Sequence, residues 1–598
     1  MKGLILFFSV ASFGFAMANT HTNQWIGGET GKWNATTSYS DGIVPGTVST
    51  DQYVVELPDD MTIRVDVLDS ESFSAFNKIH LIRPAASTAS RLEFSIANGV
   101  VDVEPAISHF ATETHGEYGV IVKKGAGTLR LKSYQKFNEG GRSTDYFSSI
   151  QVEEGVLCLP DVPENGKYVS VGIVTVNLSG TLSIASFSGS SATGSANTRM
   201  WELHGAGRIT ASPVESTAAQ TLRVVGNGLT KDASGKSTYY GGDFSGVIDS
   251  KVKWFSTGCC TLSGVESTMS DQINHYDNKG NGPGYAGSLL VMKVGKAGEP
   301  SSVGSNQTIE FRENGGVLTY LGNGEVTDKT ISIKTTEKGS FYLDGGANGG
   351  LIWNGAITHQ DGSSGVRQHN RLVLTGSNTT ACVFSGTLKT TVFSSDIVKT
   401  NYDFHVAKEG TGTWRVEDNA DNEANRTFAG GLTIREGTLQ FTSIENAGRA
   451  CSLGFATNLH EFASGFALPY VDYAFTIGNQ KGGEAVLESV GTNLHPICEN
   501  RAEDRRIALN GRGTLRSSGR WVGFAGVFGK ADGNHTLVLD GTNTEGNVVT
   551  DITDGQGVVS VEKNGTGTWA IGRETSFSGS LKVNAGKLFV RKADRYSW

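Results

Sequence analysis

The stretch Val561-Glu562-Lys563-Asn564-Gly565-Thr566-Gly567-Thr568-Trp569-Ala570-Ile571 decides the fold. Phe577-Ser578-Gly579-Ser580-Leu581 follows it, and then Val583-Asn584-Ala585-Gly586-Lys587-Leu588-Phe589-Val590. The pattern reads as strand, glycine corner, strand, corner, strand. Lys-x-Gly-x-Gly turns the chain where a positive φ or a close backbone approach is needed, which glycine allows cheaply. Thr568 to Ile571 then have strand-forming character. A unit this short cannot bury its own apolar face, so it has to stack on copies of itself.

The copies are present. Lys408-Glu409-Gly410-Thr411-Gly412-Thr413-Trp414 repeats the opening, Phe428-Ala429-Gly430 the middle, and Ile434-Arg435-Glu436-Gly437-Thr438-Leu439 the close. An earlier copy opens with Lys123-Lys124-Gly125-Ala126-Gly127-Thr128-Leu129 and closes with Val152-Glu153-Glu154-Gly155-Val156-Leu157. The clearest copies thus span 122–159, 406–441 and 561–590, with the motif positions Lys123, Gly125, Gly127, Lys408, Gly410, Gly412, Trp414, Lys563, Gly565, Gly567 and Trp569 read as structural. Fragments such as Phe244-Ser245-Gly246 and Phe384-Ser385-Gly386 recur between them. Trp414, Trp569, Phe244, Phe384 and Phe577 fall at repeat positions and read as internal stacks.

Composition agrees. Glycine supplies 79 of 598 residues and proline only 11, which sets the chain apart from Pro-rich disorder. A hydrophobic share of 37% suits a thin core with much wetted surface. The net charge of −9, with no basic run among interleaved aromatics, argues against nucleic acid as a partner. Met1-Lys2-Gly3, the apolar run to Met17 and Ala16-Met17-Ala18 read as a secretory signal over 1–18. No Cys closes that run, so no lipid anchor is expected there, and no later stretch suits a transmembrane helix. Export permits disulfides, and the six cysteines (Cys158, Cys259, Cys260, Cys382, Cys451, Cys498) leave room for one or two between coils.

These motifs resemble the autotransporter-associated β-strand repeat. The resemblance implies a right-handed parallel β-helix at the surface of a Gram-negative-type bacterium, and no reaction. The expected fold is therefore all-β, a single elongated right-handed parallel β-helix or solenoid. Residues 19–118 read as a cap and irregular first coils, and 119–598 as the repeat-bearing helix. An autotransporter of this kind carries a membrane barrel of alternating strands. None is read here before Trp598.

Candidate sites are few. Asp271 to Gly287 lacks strand periodicity and reads as a long surface loop, with His275, Tyr276, Asp277 and Tyr285 as candidate ligand contacts. Asp277-Asn278-Lys279-Gly280-Asn281-Gly282 puts Lys279 where a calcium ligand is wanted. Glu417-Asp418-Asn419-Ala420-Asp421-Asn422-Glu423 reads as a solvated loop in preference to an oxygen-lined calcium site. Glu503-Asp504-Arg505-Arg506 reads as a surface ion-pair network. Phe462 to Leu468 is a possible short helix. No catalytic residue, metal site or cofactor is assigned; calcium is the weaker option. The favoured function is an exported adhesin-like scaffold that holds binding loops toward glycans or host and extracellular surface components. The alternative is a polysaccharide-degrading β-helix enzyme, for which Asp421, Glu423 and Arg505 are the residues of interest.

Overall fold

The structure is a computed structural model that describes residues 20–24, 52–56, 62–67, 78–82, 91–103, 106–110, 120–131, 149–159, 168–184, 197–211, 220–225, 227–231, 237–270, 273–277, 288–361, 370–391, 404–417, 431–445, 451–454, 475–492, 506–572 and 575–590. The described residues contain strands and turns and no helix. Each strand pairs in parallel with a strand one coil away, as in Phe341↔Leu372, Leu372↔Val406 and Val406↔Leu432. A parallel neighbour reached only after a full circuit of the chain is what a parallel β-helix requires. One hairpin departs from this, Asn227–Lys231 running antiparallel to Ser237–Phe244.

The chain divides into two compact units, residues 1–196 with 212–215, and residues 197–211 with 216–598. In the first, Thr20–Gln24, Gln52–Glu56, Lys78–Ile82 and Ala106–Phe110 stack in that order. Thr62–Val67, Arg91–Ile96, Val120–Lys124 and the start of Ser149–Cys158 make a second ladder. Val100–Val103, Thr128–Leu131 and the end of Ser149–Cys158 make a third. The stretch read from sequence as irregular first coils thus already contains parallel rungs in register.

In the second unit the long strands Thr308–Tyr320 and Thr330–Asp344 each serve two ladders. Their first halves continue from Ile273–Asp277 to Ile357–Asp361, which we term the first face. Their second halves continue from Ser288–Val291 to Asn370–Thr375, Phe404–Lys408, Leu432–Ile434, Phe475–Ile477, Ile507–Leu509 and Gly523–Gly529, the second face. A third face runs from Glu325–Thr327 to Leu581–Val583. Inward positions form apolar columns along the rungs. Phe341, Leu372, Val406, Leu432, Phe475, Ile507 and Val527 stack in register on the second face, all buried. Trp414, Trp569, Phe244 and Phe384 are likewise buried, and Phe577 is half-buried.

One inward column breaks the apolar rule. Lys408 lies in register between Leu374 and Ile434 and is 0% exposed. Its Nζ donates to the carbonyls of Glu409 (2.7 Å) and Gly410 (2.6 Å) in its own corner and of Glu436 (3.1 Å) in the next coil. Lys123 repeats this on Lys124 (2.7 Å), Gly125 (2.5 Å) and Glu154 (3.1 Å). Lys563 repeats it on Asn564, Gly565 (2.8 Å) and Ala585 (3.1 Å). An ammonium has three N–H donors, and three carbonyls satisfy them inside the core.

The glycines follow from this clamp. Gly125, Gly410 and Gly565 have φ of +73°, +68° and +65°, which turns their carbonyls onto Nζ. The second glycine links three coils. Gly412 N–H donates to the Gly376 carbonyl (2.9 Å) in the coil before, and its own carbonyl accepts from Thr438 N–H (3.2 Å) in the coil after. Gly567 repeats both bonds with Gly541 (2.9 Å) and Lys587 (3.2 Å). The closing glycine faces the ammonium: a methyl group at Gly437 would lie 2.3 Å from the Gly410 oxygen and 2.6 Å from Lys408 Nζ. The tryptophan seals the corner, Nε1 of Trp414 donating to the Thr375 carbonyl (2.8 Å) and Nε1 of Trp569 to that of Asp540 (2.9 Å).

Two outcomes test this account. Gly482 shares a left-handed φ of +83° but has open space around it. Gly482→Ala should cost about 1 kcal/mol, the strain of the left-handed region alone. Gly437→Ala should lower the melting temperature at least twice as far, because the added carbon meets the clamp; equal shifts would contradict the packing argument. The second outcome is a pH dependence. Burial pushes the Lys408 ammonium from 10.5 down to about 8, against the pull of Glu436 and Glu409. Below about 8 the folded and unfolded chains both hold the proton. Between about 8 and 10.5 the unfolded chain binds it more, so this group's contribution to stability rises with pH across that window. The melting-temperature gap between wild type and Lys408→Met should therefore widen in favour of wild type from pH 7 to pH 10, and a constant gap would refute the shift.

Candidate functional site

The segment read as a surface loop is partly a strand. Ile273–Asp277 is a rung of the first face, paired with Val252–Thr257 and with Thr308–Tyr320. His275 is 0% exposed, its Nδ1 is 2.8 Å from Ser256 Oγ, and its ring packs edge-on against Phe311 at 5.7 Å. It is a core histidine. Tyr276 and Asp277 belong to the same rung, opposite Arg312 and Glu313, while Tyr285 lies outside the described residues. Beside this rung the buried Glu310 carboxylate takes two cations, Arg312 and Lys334, the latter at 2.5 Å. Asp421, Glu423, Arg505, Cys498 and the helix considered over 462–468 also lie outside the described residues. Glu417 is described and pairs with Arg415 at 3.2 Å. Cys259, Cys260 and Cys382 are thiols, and burial pushes all three above the usual thiol range.

The third face is balanced in charge. Arg415 Nε donates to Gln440 (3.1 Å), and Gln440 Nε2 to Glu488 (3.0 Å), which also accepts from Ser518 (2.6 Å). Arg516 meets Asp540 at 3.0 Å and Glu484 at 3.4 Å, and Arg512 meets Glu562 at 2.7 Å. Side chains one strand apart on one side of a parallel ladder face each other, so alternating donors and acceptors knit into a continuous strip.

The second face differs. Its outward column is Val373, Ala407, Thr433, Thr476, Ala508 and Phe528, in register across six strands and mostly small. Cations lean over this column from both sides. His405, paired in register with Arg371, places Nε2 2.9 Å from Thr433 Oγ1. Lys530 Nζ donates to Thr476 Oγ1 at 3.3 Å, and the Arg506 guanidinium lies 5.2 Å from the centre of the Phe528 ring. Arg371 and Arg435 share one carboxylate, Glu409, which Arg435 meets at 2.9 Å. The Arg371 Nε is buried with no hydrogen-bond partner among the described residues.

The electrostatics record the crowding. Burial and then the charges of Arg371, Arg435 and Lys530 push His405 down to about 4, so it is neutral at pH 7. Lys530 is lowered by burial and by Arg435. Tyr342, at the margin, is raised by burial and then by Glu409. Perturbed groups converging on one place mark a functional candidate. The column itself is covered: Val373, Ala407 and Ala508 are 0% exposed and Thr476 and Phe528 8%, and the Thr433 and Thr476 hydroxyls are engaged by His405 and Lys530. Sequence reading missed it because its members come from five different coils and no two form a motif. The signal available was positional: His405, Arg435, Arg506 and Lys530 each stand immediately before or after an inward position of the second-face columns.

Comparison with known proteins fits the repeat geometry. The passenger-associated-transport-repeat matches residues 406–441 and 561–588, the copies held by Lys408 and Lys563. Lys123 makes the same contacts outside those matches. The chain is 26% identical over 351 residues to the adhesin BmaC autotransporter of Brucella suis biovar 1 (strain 1330), a match that covers 56% of this chain and 8% of that protein. No solved structure matches. The chain is thus autotransporter-passenger-like, carrying passenger repeats on a parallel β-helix. Among the described residues no helix is long and apolar enough to cross a membrane.

The basic cluster makes one prediction of its own. In protein with selectively labelled histidine, the His405 imidazole should stay neutral from pH 8 down to pH 5, and Lys530→Gln should move its titration upward. An ordinary midpoint near 6.5 in wild type would show that the ring is neither buried nor crowded by the cations.

Proposed function

We propose, for a chain built on passenger repeats, that it is an exported adhesin-like protein of the bacterial surface whose β-helix carries binding elements outward without turning over a substrate. The observation that carries this reading is the match over 351 residues to an autotransporter adhesin. The architecture supports it, since clamped coils give a stiff core from which segments can project at any corner. Residues 1–18 act in this reading as the secretory signal. The partners are glycans or other components of host and extracellular surfaces, and the segment that follows the Ile273–Asp277 rung, up to Tyr285, is one presented element.

The test is a panel of immobilised mucin-type, pectic and sulfated polysaccharides with calcium present. Retained protein and newly formed chain ends are read from the same wells. Retention without new ends is the expected result. New chain ends would overturn the reading in favour of a polysaccharide-degrading enzyme and make Asp421, Glu423 and Arg505 the first positions to substitute.

A further inference from the structure

We propose that the outward side of the rungs Asn197–Gly205, Ser237–Phe244 and Cys259–Leu262 is a binding site for a neutral glycan, with Tyr240 as the platform and Glu202, His204, Asp243 and Thr261 as the groups that hold its hydroxyls. This names a place and a ligand class within the adhesin reading and rests on it.

The ladder sets the geometry. Gly205 pairs with Phe244, which puts His204 and Asp243 on neighbouring rungs, and Asp243 pairs with Thr261 on the rung after. Tyr240 pairs with Cys259 beside that column. The intervening positions point inward, where Leu203, Phe244, Cys260 and Leu262 are buried. His204, Tyr240 and Thr261 are half-buried and Asp243 is exposed, so this column is open where that of the second face is covered. Tyr240 also pairs with Asn227, so the antiparallel hairpin rises directly beside the ring.

The side chains converge. The Tyr240 ring lies 5.9 Å from that of His204, tilted by 48°. His204 Nε2 is 3.0 Å from Glu202 Oε2, and Ser263 Oγ donates to Asp243 at 3.3 Å. Burial and then the charges of Asp243 and Glu202 raise the Tyr240 phenol, which places both carboxylates around it. The Tyr240 hydroxyl makes no hydrogen bond among the described residues, and neither Glu202 nor Asp243 meets a Lys or Arg there. Acceptor capacity and an aromatic face are thus left over at one place.

That combination selects a ligand. Ionised carboxylates only accept, so the ligand must bring donors. An aromatic face is the negative side of its quadrupole and takes C–H edges. A sugar ring offers both, hydroxyls around its rim and C–H groups on its face. Two carboxylates without a cation repel sulfate and uronate, so the sugar is a neutral one. One strand step, ~4.8 Å, is about the width of a sugar ring. His204, Asp243 and Thr261 on successive rungs can therefore follow a short run of sugars along the helix axis.

The experiment measures retention of the full chain on immobilised galactan, dextran, polygalacturonate and polylysine at low and high salt, with new chain ends read from the same wells. Wild type should hold galactan or dextran equally at both salt concentrations and should not hold polygalacturonate. Tyr240→Ala should weaken retention about tenfold, the scale of an aromatic anchor, while Tyr240→Phe, which keeps the ring, should stay within about twofold. Asp243→Ala, at an exposed position whose loss leaves the core intact, should weaken it about threefold. Equal retention of wild type, Tyr240→Ala and Asp243→Ala overturns the site and leaves the adhesin reading standing. Failure of wild type to hold either neutral polymer also overturns the site, including the case in which polylysine alone is held. New chain ends alongside retention that Tyr240→Ala weakens sink the adhesin reading and leave the site.

Discussion

A buried ammonium holds the corners of this solenoid. Moving a lone charge into a core is prohibitive, and the usual outcome is exclusion or neutralisation. Lys123, Lys408 and Lys563 are tolerated because each finds three carbonyls, two from its own corner and one from the next coil. The third carbonyl exists only when the next coil is stacked in register. The clamp therefore converts an energetic hazard into a register check. A slip of one residue would turn every side chain to the opposite face and would also strand a charge. Glycine at the motif positions and the sealing tryptophan are conditions for this arrangement, since each controls where a carbonyl or the ammonium can go.

The same arrangement explains what could be read in advance. Lys-x-Gly-x-Gly with its closing glycine was legible because every motif residue acts within one corner or on the next, so its chemical requirement survives as a local pattern. Lys329 shows the limit. It is equally buried, burial pushes it to about 8, and its Nζ donates to the carbonyls of Gly304 (3.2 Å) and Asn306. Those partners lie in the coil before it, and the sequence Asp328-Lys329-Thr330 carries no glycine signature. One function, a buried cation fixed by carbonyls, has two local spellings, and only one repeats.

Ile273–Asp277 escaped for a different reason. Its residues are polar, and polarity reads as loop. Yet His275 is an inward residue, hydrogen-bonded to Ser256 through Nδ1 and packed on Phe311. A rung flanked on both sides by parallel partners needs less apolar character than an isolated strand, because its backbone bonds are supplied by its neighbours. The basic cluster of the second face lay further from view still. It depends on the phase of five coils, and phase is fixed by the clamps and apolar columns rather than by the residues of the cluster.

The rungs themselves are unevenly spaced along the chain. Asn564 and Asn584, on adjoining rungs, are 20 residues apart, whereas Gln440 and Glu488, also on adjoining rungs, are 48 apart. The ladder passes both without losing register. Loop closure scales with the logarithm of length, so the longer circuit costs only about 0.8 kcal/mol more than the shorter. That difference is smaller than the loss of one buried hydrogen bond partner. Segments between corners are consequently almost free to lengthen, shorten or change composition, while the corners are not. Such a chain can diversify what it displays over generations and keep one unvarying spine, with selection on stability confined to a few residues per coil.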